Sequence, residues 1–268
     1  MKEHAITKSV IITGAGSGIG RALSRYFAEL RWAVCAVDVN RKAAERTTRE
    51  IATWNPLSFA REVDIRDQRA VCDVYSACVE KFGGVTAIVN NAGITDKEHH
   101  RLLDLPLKVW QQILSVNLTG TFVSLTEYAK HMVKQQKGNI INVTSLLGQA
   151  GQTRLGDAPY GVSKAGIEAF TKFAAEELKD FGINVNSVYP AAMVDTEFFN
   201  YLAPKERDKL ERPSILNEVV YVLSNLEPGE LTGVSVCAKT WRREYRLAKL
   251  AEKYLNISKL LNQESVYE

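Results

Sequence analysis

The stretch Ser9-Val10-Ile11-Ile12-Thr13-Gly14-Ala15-Gly16-Ser17-Gly18-Ile19-Gly20 decides how this chain folds. Its first four residues are the short β-branched run that a strand buried on both faces requires. Arg21 to Leu30 then carries helical periodicity, so the glycines lie between a strand and a helix. Glycines allow a tight turn and let backbone N–H groups approach a ligand at the helix N-terminus, where the dipole favours an anion. The spacing is TGxxxGxG rather than GxGxxG, with Gly14, Gly18 and Gly20 in the three positions. A purely structural turn needs one or two glycines; four within seven residues suit a pyrophosphate.

Working outward, a second strand from Trp32 to Val37 ends in Asp38, eighteen residues past Gly20. A carboxylate there can accept hydrogen bonds from both hydroxyls of an adenosine ribose and repels a 2′-phosphate, which favours NAD over NADP. Ser17 agrees, because it puts no basic side chain inside the turn. Arg21 and Arg41 lie near enough to weaken the preference, and a solvated strand end is the plain alternative for Asp38. The pattern then repeats: a helix over about Arg41–Thr53, a strand over Leu57–Val63 ending in Asp64-Ile65, a helix over Asp67–Phe82, and a strand over Val85–Val89 closed by Asn90-Asn91-Ala92-Gly93. Such alternation predicts an α/β fold, a single-domain doubly wound parallel sheet of Rossmann type with helices on both faces. Gly14, Asp38, Asp64 and Asn90 then fall on one rim, at the carboxyl ends of the strands, where ligands bind.

The whole chain sets limits. Its 268 residues, 46% apolar and 24% charged, can bury one sizeable core, and a net charge of +3 is too small to argue for nucleic acid. Met1-Lys2-Glu3-His4 lacks the features of a signal peptide, and no run of about eighteen apolar residues is available for a membrane span; a cytoplasmic protein is expected. Cys35, Cys72, Cys78 and Cys237 show no CxxC spacing and read as reduced, buried thiols. The four histidines offer no metal-ligand spacing, so no metal site is expected, and His99-His100 reads as part of a solvated loop.

In the second half, a helix predicted over Leu107–Gln136 carries Asn117, a residue mildly unfavourable in mid-helix. A strand over Asn139–Thr144 ends in Ser145, and a helix over Ala158–Phe181 follows with Tyr160-Gly161-Val162-Ser163-Lys164 near its start. A spacing of four puts Tyr160 and Lys164 on one helix face. A free phenol has a pKa near ~10, and bringing it into the working range takes roughly 3 to 4 kcal/mol of electrostatic help, which a cation one turn away can supply. Ser145 ends the preceding strand and can point at the same oxygen as Tyr160.

Taken together, the glycine turn, Asn90-Asn91-Ala92-Gly93, Asn117, Ser145, Tyr160 and Lys164 occur in the order and spacing of the classical short-chain dehydrogenases/reductases, which the chain resembles over about Val10 to Gly233. The resemblance implies roles. Tyr160 is the general acid/base, Lys164 holds the nicotinamide ribose and lowers the phenol pKa, and Ser145 polarises the substrate oxygen. Asn117 would anchor a water that links Lys164 to solvent. It further implies cofactor contacts from Gly14, Ser17, Gly18, Ile19 and Gly20, with Asp38, Asn90, Ala92 and Gly93 around the adenosine ribose and Asp64-Ile65 against the adenine. A homotetramer or homodimer is implied as well.

Two departures stand out. The interval from Ser145 to Tyr160, with Gln149, Gln152, Arg154 and Asp157, is about two residues longer than the family pattern and borders the substrate. After the strand Ile183–Tyr189 the chain reads Pro190-Ala191-Ala192-Met193-Val194-Asp195-Thr196, where Pro190, Val194 and Thr196 are expected to reach the nicotinamide side of the cofactor. Glu197 to Glu211 reads as a short lid helix within a lid of about 197–212, and Ile215–Leu226 as the next helix. The final strand, Val234–Cys237, leads to a basic helical tail over 239–268. Trp241, Tyr245, Ala248, Ala251 and Leu255 recur there at helical spacing. The tail reads as docked on its own domain or a neighbouring subunit, or as a helix for a partner or an anionic membrane.

The expected activity is NAD-dependent interconversion of a secondary alcohol and a ketone on a small molecule. The alternative is a catalytically weak or inactive dinucleotide-binding regulator that uses its tail for a partner. Loss of Ser145, Tyr160 or Lys164 would favour the alternative, and all three are present.

Overall fold

The computed structural model describes residues 8–264; the expectations for Met1–His4 and for the tail beyond 264 lie outside them. Strand β1 (Ser9–Thr13) is followed by α1 (Gly18–Glu29), β2 (Ala33–Asp38), α2 (Arg41–Ile51), β3 (Phe59–Glu62), α3 (Gln68–Phe82) and β4 (Ala87–Asn90). Then come α4 (Leu107–Leu114), a π-helical turn (Ser115–Thr119), α5 (Gly120–Gln135), β5 (Gly138–Val143), α6 (Ala158–Leu178) and β6 (Ile183–Tyr189). The chain continues with a short α7 (Pro204–Arg207), α8 (Asn217–Ser224), β7 (Ser235–Cys237) and α9 (Tyr245–Glu264).

The seven strands form one parallel sheet in the order β3-β2-β1-β4-β5-β6-β7, the doubly wound arrangement expected from the alternation. Helices cover both faces, and the period-two geometry of a strand divides the core accordingly. Val10, Ile12, Val34 and Ala36 face a layer with Leu23, Phe27, Val219 and Leu250. Ile11, Cys35 and Val37 face the opposite layer with Val71, Tyr75, Tyr128 and Met132. The strand order reverses at β1 and β4, so the cleft for a ligand opens above Gly14 and Asn90.

Local signals account for the boundaries. The Asp67 carboxylate accepts from the N–H groups of Arg69 and Ala70 and caps α3, which ends at left-handed Gly83 (φ 81°). Asn40 caps α2 in the same way. The uninterrupted helix expected over Leu107–Gln136 is instead broken at Ser115–Thr119, where one extra residue per turn rotates Asn117 out of the helical register. The lid helix expected over Glu197–Glu211 is two separate turns, Glu197–Phe199 and α7, because Pro204 removes the donor a continuous helix would need.

The tail packs against its own domain. Trp241, Leu247, Leu250, Ala251, Tyr254 and Leu255 join the layer that α8 builds. Part of its charge is matched locally, Arg242 to Glu218 at 2.6 Å and Lys253 to Glu230 at 2.9 Å. Two further expectations are corrected. Cys35 and Cys78 are buried thiols, but Cys72 and Cys237 are only partly buried. His99 and His100 lie in a loop but are only partly exposed: His100 bonds Asp96 at 2.9 Å, and His99 faces Asp157 at 3.6 Å.

Candidate active site

The glycine turn is held by side chains on neighbouring strands. Gly14 (φ 65°) and Gly18 (φ 48°) occupy left-handed conformations. A Cβ on Gly14 would lie 2.9 Å from the Ala92 Cα, and one on Gly20 would collide with the Gly14 carbonyl. The Thr13 hydroxyl accepts the N–H groups of Asn91 (3.0 Å) and Ala92 (3.1 Å), and the Asn91 amide donates back to the Thr13 carbonyl at 2.9 Å. Thr13 and Asn91 therefore clasp the two loops of the switch point together; their polar side chains at strand ends were the signal available in the sequence.

Asp38 closes the other side of the turn. Its carboxylate accepts the Gly16 N–H at 2.9 Å and the Asn40 N–H at 2.8 Å. Ser17 precedes α1, whose first turn holds no acidic residue, so the helix dipole there stays open to an anion. These features, an unobstructed glycine cradle with a carboxylate at the end of β2, fit a dinucleotide. Ile19 packs against the core cluster. The Asp64 carboxylate is held by Arg66 through both oxygens, at 2.9 and 3.0 Å from Nε, and this guanidinium keeps its pKa low. Ile65 is buried against Gly120.

The Asn90 side chain is directed away from the rim. It donates to Asn142 at 2.9 Å and accepts from the Ser124 hydroxyl at 2.6 Å, and Asn142 in turn bonds Thr171. Its amide ties β4 to β5 and α5, which leaves the backbone of Asn90 as the part at the rim. Val194 is likewise turned inward, 4% exposed, and pairs with Glu211. Pro190 is buried, whereas Thr196 stands beside Gly18. A cleft of about 520 Å³ opens here, lined by Ser17, Gly18, Arg21, Thr196 and Arg212 among others.

The chemical groups converge at the ends of β5 and β6. Asn117, fully buried, makes a reciprocal pair with the backbone of Ile94: Oδ1 accepts its N–H at 2.8 Å and Nδ2 donates to its carbonyl at 2.9 Å. The π turn puts the amide in that position, and the Asn117 carbonyl is taken up by the Thr121 hydroxyl at 2.6 Å. A Cβ on Gly93 would lie 3.3 Å from Asn117 Oδ1 and 3.5 Å from Lys164 Nζ, so Gly93 stands directly against both groups.

Lys164 is 3% exposed, and its Nζ donates to the Val143 carbonyl at 2.8 Å and lies 5.7 Å from the centre of the Tyr160 ring. Burial lowers its pKa to about 8, against the pull of Glu168 in the other direction. Burial pushes the Tyr160 phenol up to about 12; hydrogen bonding with Ser145 and the charge of Arg154 oppose that rise, and Asp157 adds to it. Lys164 directs its ammonium at the Val143 carbonyl.

Sequence reasoning missed Glu168. It extends the spacing of Tyr160 and Lys164 by one more turn and accepts hydrogen bonds from Thr144, Gln149 (2.8 Å) and Ser187 (2.6 Å). The continued four-residue spacing was the readable sign. Phe198 from the lid stands edge-on to Tyr160, ring centres 6.0 Å apart.

Comparison with known proteins agrees with this geometry. A family model described as short chain dehydrogenase matches residues 8–207. A 3-oxoacyl-[acyl-carrier-protein] reductase from Staphylococcus epidermidis is 32% identical over 231 residues, covering 82% of this chain and 93% of the relative. Among solved structures, NAD+-bound xylitol dehydrogenase superposes with a TM-score of 0.78 at 26% identity, covering 87% of this chain and 98% of the other. An NADPH-bound Tyr-to-Phe variant of ElxO superposes with a TM-score of 0.77 at 25% identity, covering 87% and 97%.

Proposed function

Because the chain belongs to the short-chain dehydrogenase family and is an oxidoreductase of that family, we propose that it interconverts a secondary alcohol and a ketone, with NAD(H) preferred and Tyr160 as the general acid/base. The observation that carries this reading is the neighbourhood of the Ser145 hydroxyl and the Tyr160 phenol at the mouth of the β5–α6 connection. A nicotinamide cofactor supplies the hydride acceptor or donor, which leaves the protein to manage one proton and one oxygen.

Ser145 orients and polarises the substrate oxygen. Tyr160 takes the carbinol proton during oxidation and returns it during reduction. Lys164 lies beside Tyr160 with its ammonium fixed on the Val143 carbonyl, and Gly93 leaves room for a ribose hydroxyl or a water next to it. Asn117 holds the Ile94 loop that forms one wall of that space. Gly14, Ser17, Gly18 and Gly20 would hold the pyrophosphate, with Thr196 beside Gly18. Asp38 accepts the ribose hydroxyls and supports NAD over NADP. A second copy of the chain would dock on α5 and α6, where Phe122 and Phe173 are exposed, 49% and 69%.

The test is a panel of secondary alcohols and ketones offered with NAD(H) and NADP(H), followed by the absorbance of the reduced nicotinamide. Turnover should fall by about 10²- to 10⁴-fold in Tyr160→Phe, with cofactor affinity retained. Unchanged turnover would remove Tyr160 from the mechanism.

A further inference from the structure

Between Ser145 and Tyr160 the chain places a guanidinium at the site and anchors it to the catalytic helix. Arg154 Nε donates to Asp157 Oδ2, and the Asp157 side chain is 1% exposed. Asp157 directly precedes α6, and its carbonyl accepts the Gly161 N–H at 2.8 Å, so Arg154 is fixed to the turn that carries Tyr160. On its other side the guanidinium lies 5.7 Å from the centre of the Phe199 ring. Phe198, the adjacent residue, packs edge-on against Tyr160. Two consecutive lid residues therefore cover the cation and the phenol together.

The second oxygen of Asp157 faces His99 Nδ1 at 3.6 Å, and the His99 ring stands edge-on to Tyr201 with centres 5.0 Å apart. His99 adopts a left-handed conformation (φ 52°) to reach this place. The buried Asp157 carboxylate is thus set between His99 and Arg154. Its terminal nitrogens have no protein partner among the described residues.

We propose that Arg154 determines the substrate class: its terminal nitrogens bind a carboxylate carried by the substrate, so that the site oxidises a short hydroxy acid to the corresponding oxo acid and reduces the oxo acid in the reverse direction. This rests on the dehydrogenase reading above. A guanidinium with Nε already fixed presents its remaining edge as a planar fork, the geometry that matches a carboxylate bidentately. Short chains are selected because the cation and the phenol lie under neighbouring side chains. The carbinol carbon loses a hydride to the nicotinamide cofactor, its hydroxyl proton passes to Tyr160, and the carboxylate stays unchanged on Arg154.

The experiment compares 2- and 3-hydroxy acids of three to five carbons with their methyl esters, using the full chain and NAD+. The acid should exceed its ester in kcat/KM, and Arg154→Gln should reduce that acid-to-ester ratio by about 10- to 100-fold, with Arg154→Lys recovering part of it. The ratio cancels any general effect of Arg154 on the phenol. A ratio unchanged in Arg154→Gln, or a wild-type protein that prefers the esters, overturns the proposal. If wild-type protein turns over neither acids, esters nor neutral alcohols with either cofactor, the dehydrogenase reading fails. Calorimetric titration of acid and ester into the protein with NAD+ then decides the anchoring role alone: acid binding lost in Arg154→Gln supports it, and equal binding to both proteins sinks it.

Discussion

Glu168 stands one helical turn beyond Lys164 on the inner face of α6, and its charge raises the lysine pKa against the depression that burial imposes. The carboxylate is itself held by Thr144, Gln149 and Ser187. Glu168→Gln keeps the shape and removes the charge, so the Lys164 pKa should fall further below about 8. In the pH profile of kcat the alkaline limb should move toward neutrality by about one unit, with turnover at pH 8 reduced roughly fivefold. An alkaline limb that stays where it is in wild type would show that Glu168 serves packing alone.

Lys164 itself makes a stability prediction. Its folded pKa, about 8, lies below the ordinary value of 10.5, so the charged form is the one that folding disfavours. The cost is complete below pH 8 and disappears as pH rises to 10.5, because there the unfolded chain carries a proton the folded chain has lost. Cofactor-free Lys164→Met should therefore be more stable than wild type at pH 7, by about 1 to 3 kcal/mol once the lost Val143 hydrogen bond is allowed for. Its advantage should shrink between pH 8 and 10.5. Denaturant unfolding at pH 7 and pH 10 measures this, and a difference independent of pH would contradict the assigned burial cost.

Asp38 has two separable effects, one through charge and one through its hydrogen bond to Gly16 at 2.9 Å. Asp38→Asn can keep an oxygen acceptor for the Gly16 N–H and removes the repulsion of a 2′-phosphate. It should narrow the preference for NAD over NADP by about tenfold with little change in melting temperature. Asp38→Ala should relax selectivity and loosen the glycine turn as well, seen as a higher KM for both cofactors. Wild-type protein already selective for NADP would end the assignment of Asp38.

Asn117→Leu should destabilise the protein by about 2 to 4 kcal/mol, because the Ile94 N–H and carbonyl both lose their partner. The π turn exists in company with that pairing, so the same substitution should weaken amide-exchange protection over Ser115–Thr119. Protection unchanged over that turn would mean the helix breaks for another reason.

What could be read from the chain, and what could not, follows from the range of each signal. Strand β6 is found over the β-branched run Ile183–Tyr189, and the strand–helix alternation leads to the observed parallel, doubly wound sheet. Those signals are local or repeat along the chain. The π turn is invisible to periodicity, since a single added residue leaves the apolar stripe on either side intact. The Asn90–Asn142 pair joins residues 52 positions apart, and no pattern in either strand announces it. His99 looked like a polar loop residue because its partner, Asp157, comes from a different loop altogether. At the glycine turn, by contrast, nearly every geometric requirement falls on residues adjacent in sequence.

Helix α9 covers one whole flank of the core. Leu247, Leu250, Ala251, Tyr254 and Leu255 complete a layer whose other side is built by α1, α8 and the central strands. During synthesis the strands emerge first, and that layer stays uncovered until the twenty residues of α9 have left the ribosome. A nascent chain can therefore assemble its sheet early while still showing an oily flank to any chaperone nearby. Deletion of Leu247 to Leu255 would leave the same flank permanently open.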